Sequence, residues 1–331
     1  VRAVFLDFDT LGPGDIDVAP LIRHLPDLEL YPHTPADQVA HRIAEADVVL
    51  INKVRLSCDT LTRATHLKLI CLAATGTDNV DLAATRERSI VVCNIRNYCT
   101  PSVVQHVFAL LLALTHHLRE YRERLAERAW ADSPQFCLLD FPTRELDGKT
   151  LGIVGLGALG RGVANVAAAF GMHIIAARRP YDATAFDAIA IDTETGDESV
   201  ERVSFRDLLT RADILSLHCP LTPETEHLID ADALRAMRND ALLINTARGG
   251  LVDSAALITA LREGQIAGAG IDVLRQEPPV DPEPLVDTRL PNLIITPHIA
   301  WAARESRQRA VDEMAANIGS FLRGESRNRV D

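Results

Sequence analysis

Three polar residues stand at the ends of apolar runs: Arg248 in INTARGG, Glu277 in RQEPP and His298 in TPHIAW. A guanidinium, a carboxylate and an imidazole form a set suited to a carbonyl next to a carboxylate. Arg248 would grip the substrate carboxylate with its planar fork and polarise the carbonyl. His298 would donate the proton to the carbonyl oxygen, since an unperturbed imidazole titrates near neutrality, and would take it back as a base in the reverse direction. Glu277 would stabilise the imidazolium, raise its pKa and fix the ring orientation. Each residue alone has an ordinary reading, as a surface ion pair or a hydrogen-bonded core histidine. The set gains meaning beside a hydride source.

Gly155, Gly157 and Gly160 spell G-x-G-x-x-G between the strand-like KTLGIVG and a helical stretch over 158–170. The first glycine permits a tight turn and the second lets backbone approach a pyrophosphate. The third lets helix and strand pack, and the helix N-terminus attracts the phosphate charge. The alternative is a tight structural turn. The next strand, MHIIAA, ends in Ala177, Arg178 and Arg179, where an acid would bind the ribose hydroxyls of NAD. Arginine there suits a 2′-phosphate, so NAD(P) is the expected cofactor, with NADP(H) favoured over NAD(H). Two solvated surface arginines, with Asp182 reaching the ribose, are the other reading.

The elements that must position these groups alternate along the chain. VRAVFLDF, VVLINK, LKLICLAATG and IVVCNI read as strands of a covered parallel sheet, with helix-like stretches between them. A helix opens at Pro101 behind Thr100 as N-cap and runs to about Trp130, followed by a Pro-containing connector. From Thr150 the alternation restarts with KTLGIVG, MHIIAA, ADILSLHCP, ALLINTA, IAGAGIDV and NLIITPH as strands. The expected fold is therefore α/β: two doubly wound, Rossmann-like parallel-sheet domains with a cleft between them. Residues 1–100 with 299–331 would bind substrate and 101–298 the dinucleotide. The crossings near 97–101 and 298–301 are expected to hinge and exclude water.

The chain has 331 residues, 47% hydrophobic and 24% charged, which excludes a disordered or fibrous protein. With 34 Lys+Arg against 46 Asp+Glu the net charge is −12, which argues against nucleic acid as partner but not against a small anion. Cys58, Cys71, Cys93, Cys99, Cys137 and Cys219 form no C-x-x-C pair. They are expected to be buried reduced thiols in a reducing compartment. No metal site, signal peptide or membrane span is expected, so a cytoplasmic enzyme is anticipated.

The chain resembles the D-isomer-specific 2-hydroxyacid dehydrogenases over essentially its whole length. AATGTDNVD, GKTLGIVGLGALGRGVA, LSLHCPLTPET, LLINTARGGLVD, GAGIDVLRQEPP and NLIITPHIAW carry the resemblance. NYCTPSVVQHVFALLLALT and FCLLDFPTRELDGKTLGIVG are similar to the glycerate dehydrogenase/hydroxypyruvate reductase group. The resemblance implies that Arg248, Glu277 and His298 are the catalytic trio. It implies that backbone amides at Ala74, Thr75 and Gly76 bind the substrate carboxylate, that Asn97 supports that loop, that Lys53 faces the cleft and that Trp301 walls the pocket. On the cofactor side it implies Val104, Ala158, Leu159, Arg178, Arg179, His218, Cys219, Pro220, Thr246, Ala247 and Asp272, the last at the nicotinamide carboxamide or ribose. It implies a homodimer formed through the cofactor domain.

Many relatives carry an acid where this chain has Arg178, which agrees with the phosphate reading. The expected reaction is hydride transfer between the dinucleotide and a small D-2-hydroxy acid/2-oxo acid pair, with hydroxypyruvate or glyoxylate reduced. Other D-2-hydroxyacid dehydrogenases, a phosphite dehydrogenase and a non-catalytic, dinucleotide-sensing corepressor-like protein are the alternatives. Glu277 argues against formate oxidation, which releases no proton that needs a base.

Overall fold

Runs of Val, Ile and Leu without polar alternation become strands buried on both faces, as in Val48–Ile51 and Leu69–Leu72. The computed structural model describes residues 1–12, 14–178, 200–280 and 282–330. The chain divides into two compact units, Val1–Cys99 with Trp301–Asp331 and Thr100–Ala300.

In the first unit the described strands are β1 (Ala3–Phe5), β2 (Leu28–Leu30), β3 (Val48–Ile51), β4 (Leu69–Leu72) and β5 (Val91–Cys93). They form a parallel sheet in the order β2-β1-β3-β4-β5. One face packs on Leu21, Leu25 and the C-terminal helix Arg304–Leu322, through Val311, Met314 and Ile318. The other buries Val39, Ile43, Leu61 and Ile90. Order reverses between β1 and β3, the crevice where doubly wound sheets bind ligands.

In the second unit the described strands are β6 (Thr150–Val154), β7 (His173–Ala177), β8 (Glu201–Val203), β9 (Ile214–Leu217), β10 (Leu242–Asn245), β11 (Gly268–Ile271) and β12 (Leu293–Ile295). They are parallel in the order β12-β11-β10-β9-β6-β7-β8. Here the reversal lies between β6 and β9. Glycines let helices approach the sheet: a Cβ at Gly270 would sit 3.0 Å from Leu110 of the helix Thr100–His116.

Two doubly wound parallel sheets agree with the expected fold class. Three expectations need correction. Short edge strands β2 and β8 escaped the hydrophobic pattern, because Leu-Glu-Leu and Glu-Arg-Val carry too little apolar signal. The long helix does not run to Trp130. It spans Thr100–His116, breaks at His117 (φ +50°) and resumes over Leu118–Ala126. The break follows from competition for the last carbonyls: the Arg144 amide donates to Thr115 O, and the Thr115 hydroxyl donates to Leu111 O. The six cysteines are free, but Cys58 is exposed and Cys99 and Cys137 are half-buried. Among the described residues no single helix is long and apolar enough to cross a membrane.

Candidate active site

His298 follows β12 in a left-handed conformation (φ +55°), which costs a non-glycine residue roughly 1–3 kcal/mol. Its surroundings impose that conformation. The His298 amide donates to Asp272 O at 2.8 Å, and the next two amides, of Ile299 and Ala300, donate to the Asp272 carboxylate at 2.9 Å each. The imidazole Nδ1 then lies 2.5 Å from Glu277 Oε2. Glu277 Oε1 accepts from the Leu274 amide at 2.8 Å, so the carboxylate is held at both oxygens. With Nδ1 bound to a carboxylate, Nε2 is the nitrogen left to exchange a proton with a substrate.

Asp272, which follows β11, is buried. Oδ1 accepts from the Thr296 hydroxyl at 2.6 Å and the Ile299 amide, and lies 3.4 Å from His106 Nε2. Oδ2 accepts from Ala300. Burial pushes this carboxyl up, but the bonds from His106, Thr296 and the two amides outweigh it and hold it below the usual carboxylate range. The Asp272 side chain has no exposed surface, so its carboxylate is committed to these internal partners.

Arg248 leaves β10 through a turn built by Asn245, which is fully buried. Asn245 Nδ2 donates to Arg248 O at 2.9 Å and Oδ1 accepts from the Ala247 amide at 3.0 Å. The guanidinium is half-buried and its Nη1 donates to Ala247 O at 2.8 Å. Gly249 presses on the Leu274 backbone, which ties the Arg248 turn to the loop bearing Glu277.

The glycine loop joins β6 to the helix Ala158–Ala169. A Cβ at Gly155 (φ +96°) would lie 2.6 Å from the Cys219 amide nitrogen, and one at Gly160 would lie 2.3 Å from Gly155 O. Both positions therefore exclude side chains. A Cβ at Gly157 meets nothing within 4 Å, and no side chain caps the helix, so its first turn faces open space. His218 Nδ1, on the segment that backs Gly155, and Thr246 Oγ1, just after β10, are buried polar atoms with no hydrogen-bond partner among the described residues. An orphaned polar atom beside the glycine loop, together with an uncapped helix N-terminus, fits a polar ligand such as a dinucleotide. Burial pushes the His218 imidazole down to about 4, so the ring is neutral, with Nε2 bonded to Ser216 Oγ at 2.9 Å.

Of the other anticipated cofactor residues, Ala158 and Pro220 are exposed, Leu159 and Ala247 half-buried and Cys219 buried. Arg178 is exposed just after β7, with its amide bonded to Val203 O at 2.8 Å. Arg179 and Asp182 lie outside the described residues. Val104 is buried, and its side chain abuts Gly162 of the glycine-loop helix.

In the first unit, Lys53 is exposed in the turn after β3. Asp7, which the sequence reading missed, builds that turn. Its carboxylate accepts from the amides of Asn52 (2.9 Å), Lys53 (2.6 Å) and Val54 (2.9 Å). The signal was an acid just after a strand at the sheet's reversal point. Ala74, Thr75 and Gly76 form the turn after β4, with Thr75 Oγ1 donating to Ile95 O at 2.9 Å. The support expected from Asn97 comes instead from Asn94, which is buried and donates from Nδ2 to Thr75 O at 2.8 Å; Asn97 is exposed, with φ +57°. A strand end buries its side chain, whereas Asn97 has already entered the turn. Trp301 packs edge-on against Tyr98, with centroids 6.4 Å apart.

Residues 108–300 match the family described as D-isomer specific 2-hydroxyacid dehydrogenase, NAD binding domain. A glycerate dehydrogenase of Methylorubrum extorquens is 44% identical over 89% of this chain and 88% of its own length. A hydroxypyruvate reductase of Blautia hydrogenotrophica is 35% identical over 100% of both chains. An acyclic imino acid reductase solved with NADPH and D-Arg superposes with a TM-score of 0.86, 26% identity and 100% coverage of both chains.

Proposed function

The chain belongs to the D-isomer specific 2-hydroxyacid dehydrogenases, and from that premise we propose that it reduces hydroxypyruvate or glyoxylate with NADPH, as a homodimer. The family activity is oxidoreduction of a small hydroxy acid with a nicotinamide cofactor. The single observation that carries the chemistry is the 2.5 Å contact between His298 Nδ1 and Glu277 Oε2.

When bound, the dinucleotide supplies or accepts the hydride. The chain does the rest. The first turn of the helix Ala158–Ala169 and Gly157 hold the pyrophosphate, and Thr246 and His218 supply polar partners. Arg248 binds the substrate carboxylate and polarises the carbonyl, and the amides of Ala74, Thr75 and Gly76 are the further carboxylate donors that the resemblance implies. Protonated His298 gives its Nε2 proton to the carbonyl oxygen, and Glu277 steadies the positive ring before transfer. In the oxidative direction neutral His298 takes the hydroxyl proton. Lys53 and Trp301 bound the substrate pocket.

Arg178 supports the NADPH preference, since an exposed guanidinium after β7 stands where an acid would select the ribose hydroxyls of NAD. The imino acid reductase of similar fold was solved with NADPH. Homodimer formation is supported by exposed apolar side chains along 118–139 of the second unit, with Phe136 89% and Leu139 85% exposed.

The test is a panel of 2-oxo acids assayed with NADH and NADPH in parallel, together with His298→Ala. Turnover of hydroxypyruvate and glyoxylate above bulkier acids is expected, with NADPH preferred. His298→Ala should lose about 10²–10⁴-fold in kcat. No turnover of any small 2-oxo acid, or unchanged kcat in the variant, would refute the reading.

A further inference from the structure

His106 lies on the helix Thr100–His116, outside the trio, yet it touches the residues that hold the His298 loop. Its Nε2 is 2.9 Å from Thr296 Oγ1 and 3.4 Å from Asp272 Oδ1. The Thr296 hydroxyl has one hydrogen, and a 2.6 Å contact places it on Asp272 Oδ1. The oxygen is then an acceptor toward His106, so Nε2 carries a hydrogen and donates. Every bond in the group runs toward the Asp272 carboxylate: His106 to Thr296 at 2.9 Å and, at 3.4 Å, to Asp272 Oδ1 itself, and Thr296, Ile299 and Ala300 to Asp272.

We infer that His106 is a positioning residue, which through Thr296 and Asp272 clamps the 296–300 loop and so holds His298 in the left-handed conformation that aims its ring at Glu277. The inference rests on reading His298 as the proton carrier. Asp272 is the keystone, since it accepts the His298 amide on its carbonyl and the next two amides on its carboxylate. A buried carboxylate that lost one of its donors would recruit another or turn away, and either response moves the two amides that follow His298. The helix is suited to hold His106 in register. Gly270, two residues before Asp272, lets Leu110 come within 3.0 Å of where a Cβ would stand, so helix and strand meet with no slack.

The clamp acts on the geometry of proton transfer and on no contact with substrate. Its removal should therefore lower kcat and leave binding intact. His106→Leu removes the donor, Thr296→Val removes the hydroxyl at constant shape, and His106→Gln keeps an N–H donor. With hydroxypyruvate or glyoxylate and the preferred dinucleotide, His106→Leu and Thr296→Val are expected to lose about tenfold or more in kcat. KM for the oxo acid and the dinucleotide dissociation constant, read by quenching of tryptophan fluorescence, should stay near the parent's. His106→Gln should recover most of the loss.

Thr296→Val decides the matter if His106→Leu does not fold. Parent-like kcat in Thr296→Val overturns the clamp, and so does a rise in both KM and dissociation constant as large as the fall in kcat, which marks general damage. His298→Asn, run alongside, separates the two ideas. If it is inactive while Thr296→Val and both His106 variants turn over normally, only the clamp falls. If His298→Asn keeps the parent kcat, the proton-carrier reading falls and the clamp with it.

Discussion

Gly249 and Leu274 share a contact that no side chain could enter: a Cβ at 249 would lie 2.0 Å from the Leu274 carbonyl carbon and 2.2 Å from its oxygen. The obstacle is backbone, so it cannot rotate aside. Three residues beyond Leu274 stands Glu277, and one residue before Gly249 stands Arg248, so the contact sets the spacing between two of the proposed catalytic groups. Gly249→Ala is expected to destabilise the protein by about 2–3 kcal/mol through overpacking and to cost about tenfold or more in kcat. The adjacent Gly250→Ala meets only the methyl ends of Leu221, a half-exposed and flexible side chain, and should cost less than about 1 kcal/mol. Thermal melts and kcat for the two variants check this, and equal effects would refute the assignment of the contact.

The parallel sheets were legible because their strands are apolar on both faces; Val48–Ile51 and Ile214–Leu217 announce themselves without context. Arg248, Glu277 and His298 were legible because each ends such a run. The residues that hold them were not. Asp7, Asn94, Asn245 and His106 act through one to three hydrogen bonds to backbone or side chains, and for Asp7, Asn94 and His106 these partners lie 19 to 190 positions away. No local period encodes such a bond. Asn94 and Asn97 show the difference: both are asparagines near the turn, and only the burial of one decides which donates to Thr75 O. The break at His117 was hidden for the same reason, since the amide that takes the Thr115 carbonyl belongs to Arg144.

Arg178 gives the cofactor preference a direct test. A guanidinium paired with a 2′-phosphate makes charge-assisted hydrogen bonds worth roughly 1.5–3 kcal/mol. Arg178→Ala should therefore raise KM for NADPH by about 10–100-fold and leave KM for NADH nearly unchanged. Parallel titrations of the two dinucleotides at saturating oxo acid measure both. An equal rise for NADH and NADPH would show that Arg178 serves the fold or the shared phosphates.

His218 predicts the acid side of the stability curve. Its imidazole titrates near 6.5 when unfolded and is pushed down to about 4 in the folded chain by burial. Between those values the unfolded chain takes up a proton that the folded chain refuses, so stability falls as pH drops from 6.5 towards 4. The loss approaches roughly 3 kcal/mol at full effect. Asp272 acts in a different window. Its pKa is lowered on folding, so its contribution is intact above the unfolded value of 3.8 and fades only below it. Urea melts from pH 7 to 4.5 should show a slope that His218→Gln flattens, whatever that variant's stability at pH 7. An unchanged slope would assign the acid loss to other groups.

The surface over 118–139 predicts the state of association. The helix Leu118–Ala126 buries none of its residues, and Leu118, Leu125, Trp130, Phe136 and Leu139 are all exposed. The segment is nevertheless held in shape by polar contacts: Tyr121 Oη donates to Leu138 O at 3.2 Å, Arg124 Nε to Asp140 at 2.7 Å, and Trp130 Nε1 to Phe136 O at 2.9 Å. An ordered scaffold that presents apolar side chains outward is what a partner face requires, because burying each Phe or Leu is worth about 1.5–3 kcal/mol. A second copy of the chain is the partner proposed above. Sedimentation of the parent should give about twice the chain mass of 36.2 kDa. Phe136→Asp combined with Leu139→Asp places two carboxylates in that face and should shift the equilibrium towards the single chain, with dinucleotide binding retained because neither residue belongs to the glycine-loop site. A parent that sediments as a single chain, or a variant that stays paired, would remove this face from the interface.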